Sequence, residues 1–278
     1  MGDYDNSEYY DDIKNTLENK QHADKIIDKI KGINSEQAKR AVWELVQNAR
    51  DIAVHNGEKK SVNITLELHD DCLIFKHDGK WFDYKTLFSL IIQVSSKDKK
   101  NEEEEHLPVG QFGTGFCTTH AFGRMITLDG SFQLKDGKYV PLTNFILDRC
   151  GDSDALASNI NKQIKSLDKL TKEDGSDDLP NAITSLKYTF ADGNEKQYAH
   201  IAVKYIDEYV PYVFALNNAI QSLEVKIKVE DSKEKEELLR YETKYAQYSI
   251  NNKDDIFNGL FAYTIHGSAA ERTIWVLK

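Results

Sequence analysis

The chain has 278 residues, and its formal net charge is -10, with 36 basic and 46 acidic side chains. An apolar content of 40% is enough for a packed core, which excludes a disordered chain, and the length allows one large domain or slightly more. The acidic balance argues against a dedicated nucleic-acid binder, although a local basic patch stays open.

The sequence also carries information about cellular compartment and redox state. No apolar run approaches the length of a membrane span, and the first residues are acidic rather than signal-like. The three cysteines, Cys72, Cys117 and Cys150, are scattered without metal-ligand spacing. We therefore expect a cytoplasmic protein with reduced thiols and no membrane partner.

The first third of the chain predicts two helices, a hairpin and a short helix. Residues 8–32 predict a helix that stops at Gly32, and residues 36–55 predict an amphipathic helix with Ser35 as its N-cap. Residues 61–68 alternate between apolar and polar side chains, residues 72–76 form a second strand, and residues 84–92 predict a helix.

The rest of the chain is less regular. Residues 94–109 are too polar to pack, and we interpret them as a long solvated loop, a type of segment that often serves as a functional lid. The other predicted elements are a buried helix over 116–122, strands over 124–129, 131–135, 138–140, 181–190 and 223–229, an insertion or loosely packed helix pair over 152–180, a helix over 205–223, a charged helix or linker over 233–245, and a hairpin over 259–266 and 272–277. A chain that ends on a strand predicts a fragment of a longer protein.

Two polar residues lie beside the apolar stripe of the second helix. Glu44 and Asn48 are four residues apart, so they lie on one face, and Asp51 follows on the same side. A carboxylate and an amide at the edge of a buried face are costly unless they have partners or line a site. On the spacing alone, both interpretations stay open.

Two further signals follow along the chain. A short apolar strand ends in His77-Asp78-Gly79, and residues 110–115 read Gly-Gln-Phe-Gly-Thr-Gly, a G-x-x-G-x-G loop that leads into an apolar segment. Glycines let a backbone approach phosphate closely, and the N-terminus of a following helix favours an anion. Glycines also serve ordinary turns, so the loop is informative only together with the other motifs.

The order of these motifs resembles the GHKL ATPase superfamily, which includes gyrase, the large heat-shock chaperone and histidine kinases. The run HDGKWFDYKTLFSL to VGQFGTGF is most similar to chaperone-like and sacsin-like ATPase domains. The resemblance implies a Bergerat-type fold, an α/β (α+β) two-layer sandwich with a mixed, mostly antiparallel sheet and helices on one face. It implies an ATP-binding domain over residues 1–195 and the start of a transducer-like α/β module over 196–278.

The resemblance also implies roles for individual residues. Glu44 would activate the attacking water, Asn48 would ligate Mg²⁺, and Asp51 would support the pocket or the water shell of the ion. Thr184 would lie under the adenine. The other nucleotide-binding residues that it implies are Asp78, Gly79, Lys97, Gly110, Gln111, Phe112, Gly113, Thr114, Gly115 and Phe116.

The second motif departs from the pattern of the family. The family reads Asp-x-Gly-x-Gly there, and its first Asp accepts a hydrogen bond from the adenine amino group. In this chain His77 stands at the position of that Asp, and Trp81 replaces the last Gly. Asp78 could take the adenine role if the turn is shifted by one residue, so the departure puts base specificity in doubt.

The resemblance implies Mg²⁺-dependent binding and hydrolysis of ATP, with lid closure coupled to homodimerisation or to other domains of the full-length protein. What such turnover acts on, and whether a nucleic acid takes part, stay open. An alternative is a catalytically weak nucleotide-sensing or scaffold module of a defence or DNA-processing protein, with the altered second motif as a sign of decay. A histidine kinase is disfavoured, because the sequence QHADK around His22 shows no phosphoacceptor signature.

Overall fold

The structure is a computed structural model that describes residues 6–53, 61–93, 115–206, 208–210, 213, 219–228, 237–248, 260–266 and 272–277. The helices are α1 (Asn6–Lys31), α2 (Ser35–Ala53), α3 (Tyr84–Ile92), α4 (Ser153–Leu170) and α5 (Gly193–Lys204), and a 3₁₀ helix spans Phe116–Phe122. The strands are β1 (Val62–His69), β2 (Cys72–His77), β3 (Phe82–Asp83), β4 (Met125–Gln133), β5 (Tyr139–Asp148), β6 (Thr184–Thr189), β7 (Ile220–Lys228), β8 (Glu237–Tyr248), β9 (Leu260–His266) and β10 (Arg272–Leu277).

The described strands form one sheet in the order β10-β9-β8-β7-β1-β2-β6-β4-β3, and β5 pairs with β4. The β1–β7 and β3–β4 pairs are parallel, and the other neighbours are antiparallel. Helices pack on one face, so the predicted two-layer α/β sandwich with a mixed, mostly antiparallel sheet is confirmed. Strand β7 lies beyond the predicted boundary at residue 195 and continues the sheet that contains β1.

Helix α2 forms where its amphipathic pattern predicts it, although its cap differs. Asn34, and not Ser35, is the N-cap, because its Oδ1 accepts hydrogen bonds from the backbone N–H groups of Glu36 and Gln37 at 3.0 and 3.1 Å. The Gln37 side chain accepts from the Asn34 N–H in return at 3.1 Å, which completes a capping box. The predicted stripe is buried, with at most 3% exposure at Ala38, Val42, Leu45, Val46 and Ala49.

The face of the sheet that meets the helices is arranged in cross-strand rows. The first row is Leu66–Phe75–Leu186–Leu128, and the second row is Leu68–Leu73–Tyr188–Ile126, taken across β1, β2, β6 and β4. Every member is at most 4% exposed. Together with α2 these two rows form the core beneath the candidate site.

The prediction of an insertion or a loosely packed helix pair over 152–180 is wrong, because the segment contains a single packed helix. The segment contains α4, which packs against α1 and α3 through buried apolar residues such as Leu156, Ile160 and Leu167. Asp152 caps the helix by accepting a hydrogen bond from the Ala155 N–H at 3.0 Å. The charged residues that indicated loose packing lie on its exposed side, because the pattern is amphipathic rather than uniformly polar.

Other boundaries also differ from the predictions. The two strands expected over 124–135 are one strand, β4, which passes through Gly130 at a φ of 155°. The predicted helix over 205–223 is confirmed in part, because residues 206, 208–210 and 213 are helical, whereas β7 already begins at Ile220. Helix α5, which begins at Gly193 after its Asp192 cap, was not predicted. The charged helix or linker expected over 233–245 is wrong, since β8 occupies 237–248. The terminal hairpin is confirmed as β9 and β10.

Candidate functional site

A third row on the inner face of the sheet, the polar row, carries two polar side chains, His77 and Thr184, beside the buried Ile64. Two residues beyond the first apolar row, Ile64 pairs with His77 and His77 pairs with Thr184. His77 is 6% exposed and Thr184 is 3% exposed. Gly130 of β4 lies beside them, since a Cβ at Gly130 would stand 3.4 Å from the Thr184 hydroxyl oxygen. The apolar core therefore ends at this edge in groups that can form hydrogen bonds.

Helix α2 lies across this edge, and a narrow pocket separates the two layers. Its free volume is about 20 Å³, which is space for about one water molecule. The lining residues are Leu45, Asn48, Ala49, Phe75, His77, Lys80, Trp81, Phe82, Thr86, Phe116, Thr184 and Leu186. Among the predicted site residues, Asn48, Phe116 and Thr184 thus meet at one pocket.

Glu44 precedes Asn48 by one turn of α2 and lies against Gly115, the last glycine of the G-x-x-G-x-G motif. A Cβ at position 115 would stand 2.6 Å from the carboxyl carbon of Glu44, well inside van der Waals contact. The φ of Gly115 is -65°, so space and not backbone conformation requires glycine here. Thr118 holds the Gly115 carbonyl with its backbone N–H at 3.0 Å and its hydroxyl at 2.7 Å.

The carboxylate of Glu44 is half-buried. Burial raises the pKa of Glu44 above its ordinary value, because the charged form loses solvation. Among the residues that the structure describes, no side chain forms an ion pair or a hydrogen bond with it. A partly desolvated carboxylate with a raised pKa is a good proton acceptor, which suits it to a general base.

Asn48 carries an unpartnered polar atom. Its amide Nδ2 is buried and has no hydrogen-bond partner within the described part of the chain. Buried polar atoms are seldom left unpaired, so this amide fits a position that a ligand completes. The amide could equally turn its oxygen outward, because its two orientations differ only in the hydrogen bonds they make. An amide oxygen is a suitable ligand for Mg²⁺.

The described residues contain no group of three or more His, Cys, Asp or Glu side chains positioned to hold a metal ion. Mg²⁺ does not need such a group, because it keeps several waters and takes phosphate oxygens as ligands. A single amide oxygen from Asn48 therefore fits a magnesium ion that arrives with a phosphate chain.

The His77-Asp78-Gly79 turn orients His77 and Asp78 differently. The carboxylate of Asp78 accepts hydrogen bonds from the backbone N–H and the side-chain amide of Asn63, both at 2.7 Å, and it does not line the pocket. His77 does line it, and the Gly79 N–H donates to His77 Nδ1 at 3.2 Å. Burial lowers the pKa of His77 to about 4, so the ring is neutral at neutral pH.

The other predicted site residues are not gathered at this pocket. Asp51 is 7% exposed, and its carboxylate lies 3.2 Å from Arg50 Nε. Lys97, Gly110, Gln111, Phe112, Gly113 and Thr114 lie outside the described residues, so their roles stay predictions. The helix after the glycine loop is a seven-residue 3₁₀ helix, which is too short to support the dipole argument made from the sequence.

A buried polar network joins the residues on either side of segment 94–114. Gln93 ends α3 at a φ of 49°, and its side chain contacts His120 Nε2 and Cys117 Sγ, both at 2.6 Å. Arg149, 1% exposed, donates to the carbonyls of Leu90 and Ile91 at the end of α3. Residue type alone gave no indication of this network.

Trp81 and Lys80 are lining residues that the sequence did not predict. The Trp81 indole N–H donates to the Gln133 side chain at 3.0 Å, and its ring meets Tyr139 edge to face at 4.9 Å. Their place directly after the His77-Asp78-Gly79 turn is the signal that could have found them.

Neither a scan against protein-family models nor a search of curated proteins finds a match for this chain. No helix among the described residues is both long and apolar enough to cross a membrane.

Proposed function

We propose that this chain binds ATP together with Mg²⁺ and hydrolyses it, with Glu44 as the general base. The observation that carries the proposal is the approach of the Glu44 carboxylate to Gly115, which only a glycine permits. The resemblance to GHKL ATPases implies that the helix carboxylate and the glycine loop serve one site. Their contact supports this assignment, because they are distant in sequence and nothing in a turn glycine requires a carboxylate beside it.

The chemistry assigned to each residue follows from its surroundings. Glu44 accepts a proton from the water that attacks the γ-phosphate, and its raised pKa increases the driving force for that transfer. Asn48 supplies an amide oxygen to Mg²⁺, which neutralises phosphate charge when bound. Thr184 and His77 line the same pocket as Asn48, and we assign the nucleobase to their side of it.

The narrow pocket requires Trp81 to move. A free volume of about 20 Å³ is far below the several hundred Å³ of typical ligand sites. Among the described residues, partly exposed Trp81 is held by a hydrogen bond to Gln133 and an edge-to-face contact with Tyr139, and both can be exchanged. We therefore expect binding to displace the indole and to change its fluorescence.

The first test is turnover. Glu44→Ala is expected to lower ATP hydrolysis by about 10²- to 10⁴-fold, because the proton acceptor is lost, while the dissociation constant for Mg-ATP changes little. Glu36→Ala is the matched control, because Glu36 lies on the same helix with a side chain that is 74% exposed. Equal hydrolysis by the Glu44→Ala variant and the wild type would remove Glu44 as the base.

The second test addresses the metal. Asn48→Ala is expected to weaken binding of a non-hydrolysable ATP analogue in the presence of Mg²⁺ by about tenfold, and to leave metal-free binding nearly unchanged. Calorimetric titration in Mg²⁺ and in a chelator separates metal-dependent binding from metal-free binding. An affinity that does not change with Mg²⁺ in the wild type contradicts the assigned role of Asn48.

A second candidate function is a nucleotide-sensing or scaffold module with weak catalysis. The departure of His77 and Trp81 from the second motif, together with the narrow pocket, favours it. Mg-ATP binding by the wild type without measurable hydrolysis would support it. In either case, we propose that the bound state is read out by homodimerisation or by other domains, which sedimentation with and without nucleotide tests.

A further inference from the structure

Only one of the two ring nitrogens of His77, a residue that lines the pocket, has a hydrogen-bond partner among the described residues. Nδ1 accepts the hydrogen bond from the Gly79 N–H, so it carries a lone pair and no proton. In a neutral imidazole the proton is then on Nε2. Among the described residues, none offers Nε2 an acceptor, although the ring lines the pocket and is 6% exposed.

The turn itself fixes this arrangement. Gly79 lies two residues after His77, and its amide reaches back to the ring in a local contact that depends only on the turn. Asp78, between them, is held on β1 by two hydrogen bonds to Asn63 and cannot rotate into the pocket without losing both. Among the described lining residues, this sheet edge therefore offers the N–H donor of His77 and no carboxylate acceptor.

We propose that His77 determines base specificity by donating its Nε2–H to an acceptor atom on the edge of the bound base, so that binding does not depend on the exocyclic amino group of adenine. The inference rests on the proposed function, because it concerns the base end of the same nucleotide site. Thr184, the neighbour of His77 in the polar row, does not restore a requirement for the amino group, since a hydroxyl can donate as readily as it accepts.

The consequence is a measurable difference from an acceptor-lined pocket. Where a buried carboxylate accepts a hydrogen bond from the amino group, a base without that group leaves the carboxylate unpaired and weakens binding about 10- to 100-fold. Where the protein group is a donor, a ring nitrogen satisfies it, and the amino group can be removed with little loss.

The test compares ATP with purine riboside 5′-triphosphate, which lacks the amino group. Both are titrated calorimetrically with Mg²⁺ against the Glu44→Ala variant, in which turnover is blocked. We expect the two dissociation constants to agree within about threefold. If the purine riboside nucleotide binds ten or more times more weakly than ATP, the proposed function stands and the role of His77 is overturned. If neither nucleotide binds, the proposed function itself fails, and this inference with it.

A substitution that exchanges donor for acceptor gives the converse result. His77→Asp is expected to create a preference for ATP over purine riboside triphosphate of at least about tenfold, because the carboxylate then needs the amino group. His200→Asp, an exposed histidine on α5, is the control and should leave the ratio unchanged. An unchanged ratio in a folded His77→Asp variant contradicts the assignment. If that variant does not fold, the comparison in the Glu44→Ala background still decides.

Discussion

The inner face of the sheet carries an apolar row and a polar row on the same strands, and they differ in what they contribute. In the apolar row, Leu68, Leu73 and Tyr188 pair across β1, β2 and β6, and each is at most 1% exposed. In the polar row, Ile64, His77 and Thr184 pair across the same strands with the same ladder of backbone hydrogen bonds. Both rows follow the same strand pairing, so the comparison concerns their side chains.

The apolar row stabilises the fold, whereas the two polar members of the other row, His77 and Thr184, do so only weakly. Burying a leucine side chain contributes about 1.5–3 kcal/mol, whereas a buried imidazole or hydroxyl recovers free energy only through its hydrogen bonds. His77 has one such bond, from Gly79. If the polar groups serve binding, as we propose, substitutions in the two rows should therefore have different effects on stability and on nucleotide affinity.

The largest expected effect on the free energy of unfolding comes from truncating a side chain of the apolar row, compared with a substitution in the polar row. Leu73→Ala should lower the free energy of unfolding by about 2–5 kcal/mol, because a fully buried leucine leaves a cavity. Thr184→Val should change it by less than about 1 kcal/mol, since it replaces a buried hydroxyl by a methyl group of similar shape. Urea denaturation measures both.

Nucleotide binding should show the opposite order. Leu73→Ala should leave the affinity of the folded fraction for Mg-ATP unchanged, whereas Thr184→Val should weaken it about tenfold through the lost hydrogen bond. If Thr184→Val is the variant that unfolds and binding is untouched, the polar row is part of the structural core and the distinction between the rows fails.

A smaller effect on stability, with a large effect on hydrolysis, is expected at the contact between Glu44 of α2 and Gly115. Gly115→Ala forces the Glu44 carboxylate away, because the new Cβ overlaps it. A carboxylate at the end of a flexible side chain moves easily, so stability should fall by less than about 1 kcal/mol while hydrolysis falls about 100-fold. The activity of the purified variant and its urea midpoint are measured together.

The double variant sharpens this result. In a Glu44→Ala background, Gly115→Ala should have no further effect on hydrolysis, because the overlapping group is gone. An additional loss of tenfold or more would show that alanine at position 115 acts through the backbone of the loop, and the contact would then be incidental.

Periodicity predicted the elements that form the site. The stripe of α2, the β1–β2 hairpin and α3 follow from alternation and helical spacing, because each element buries one face against the same core. Charged residues misled the prediction in two places. In α4 they lie on the exposed face of an amphipathic helix, and in β8 they alternate with Leu239, Tyr241 and Thr243 in a strand that pairs with β7 and β9.

The constellation of the site could be predicted only in part. The spacing of Glu44 and Asn48 on one helix placed them on one face, and the register of β2 and β6 then brought His77 beside Thr184. No local pattern could show that Asp78 turns to Asn63 and His77 to the pocket, because that depends on the backbone of a single turn. The approach of Glu44 to Gly115 likewise depends on long-range packing.

The smallest expected effect concerns how the buried carboxyl group of Glu44 changes the stability of the fold. Because burial raises the pKa of Glu44, the folded state holds a proton there more readily than the unfolded state does. The contribution of Glu44 protonation to the free energy of unfolding is therefore fully present below the unfolded pKa and is lost as pH rises through the higher, folded pKa. At neutral pH the charged form is destabilising, and Glu44→Gln should raise the melting temperature by roughly 2 °C. Well below the ordinary glutamate pKa of about 4.3 the gain should vanish, because Glu44 is then protonated in both states, and a Glu36→Gln variant is measured alongside it as the control. A gain of equal size at both pH values would mean that packing, and not the buried charge, is responsible.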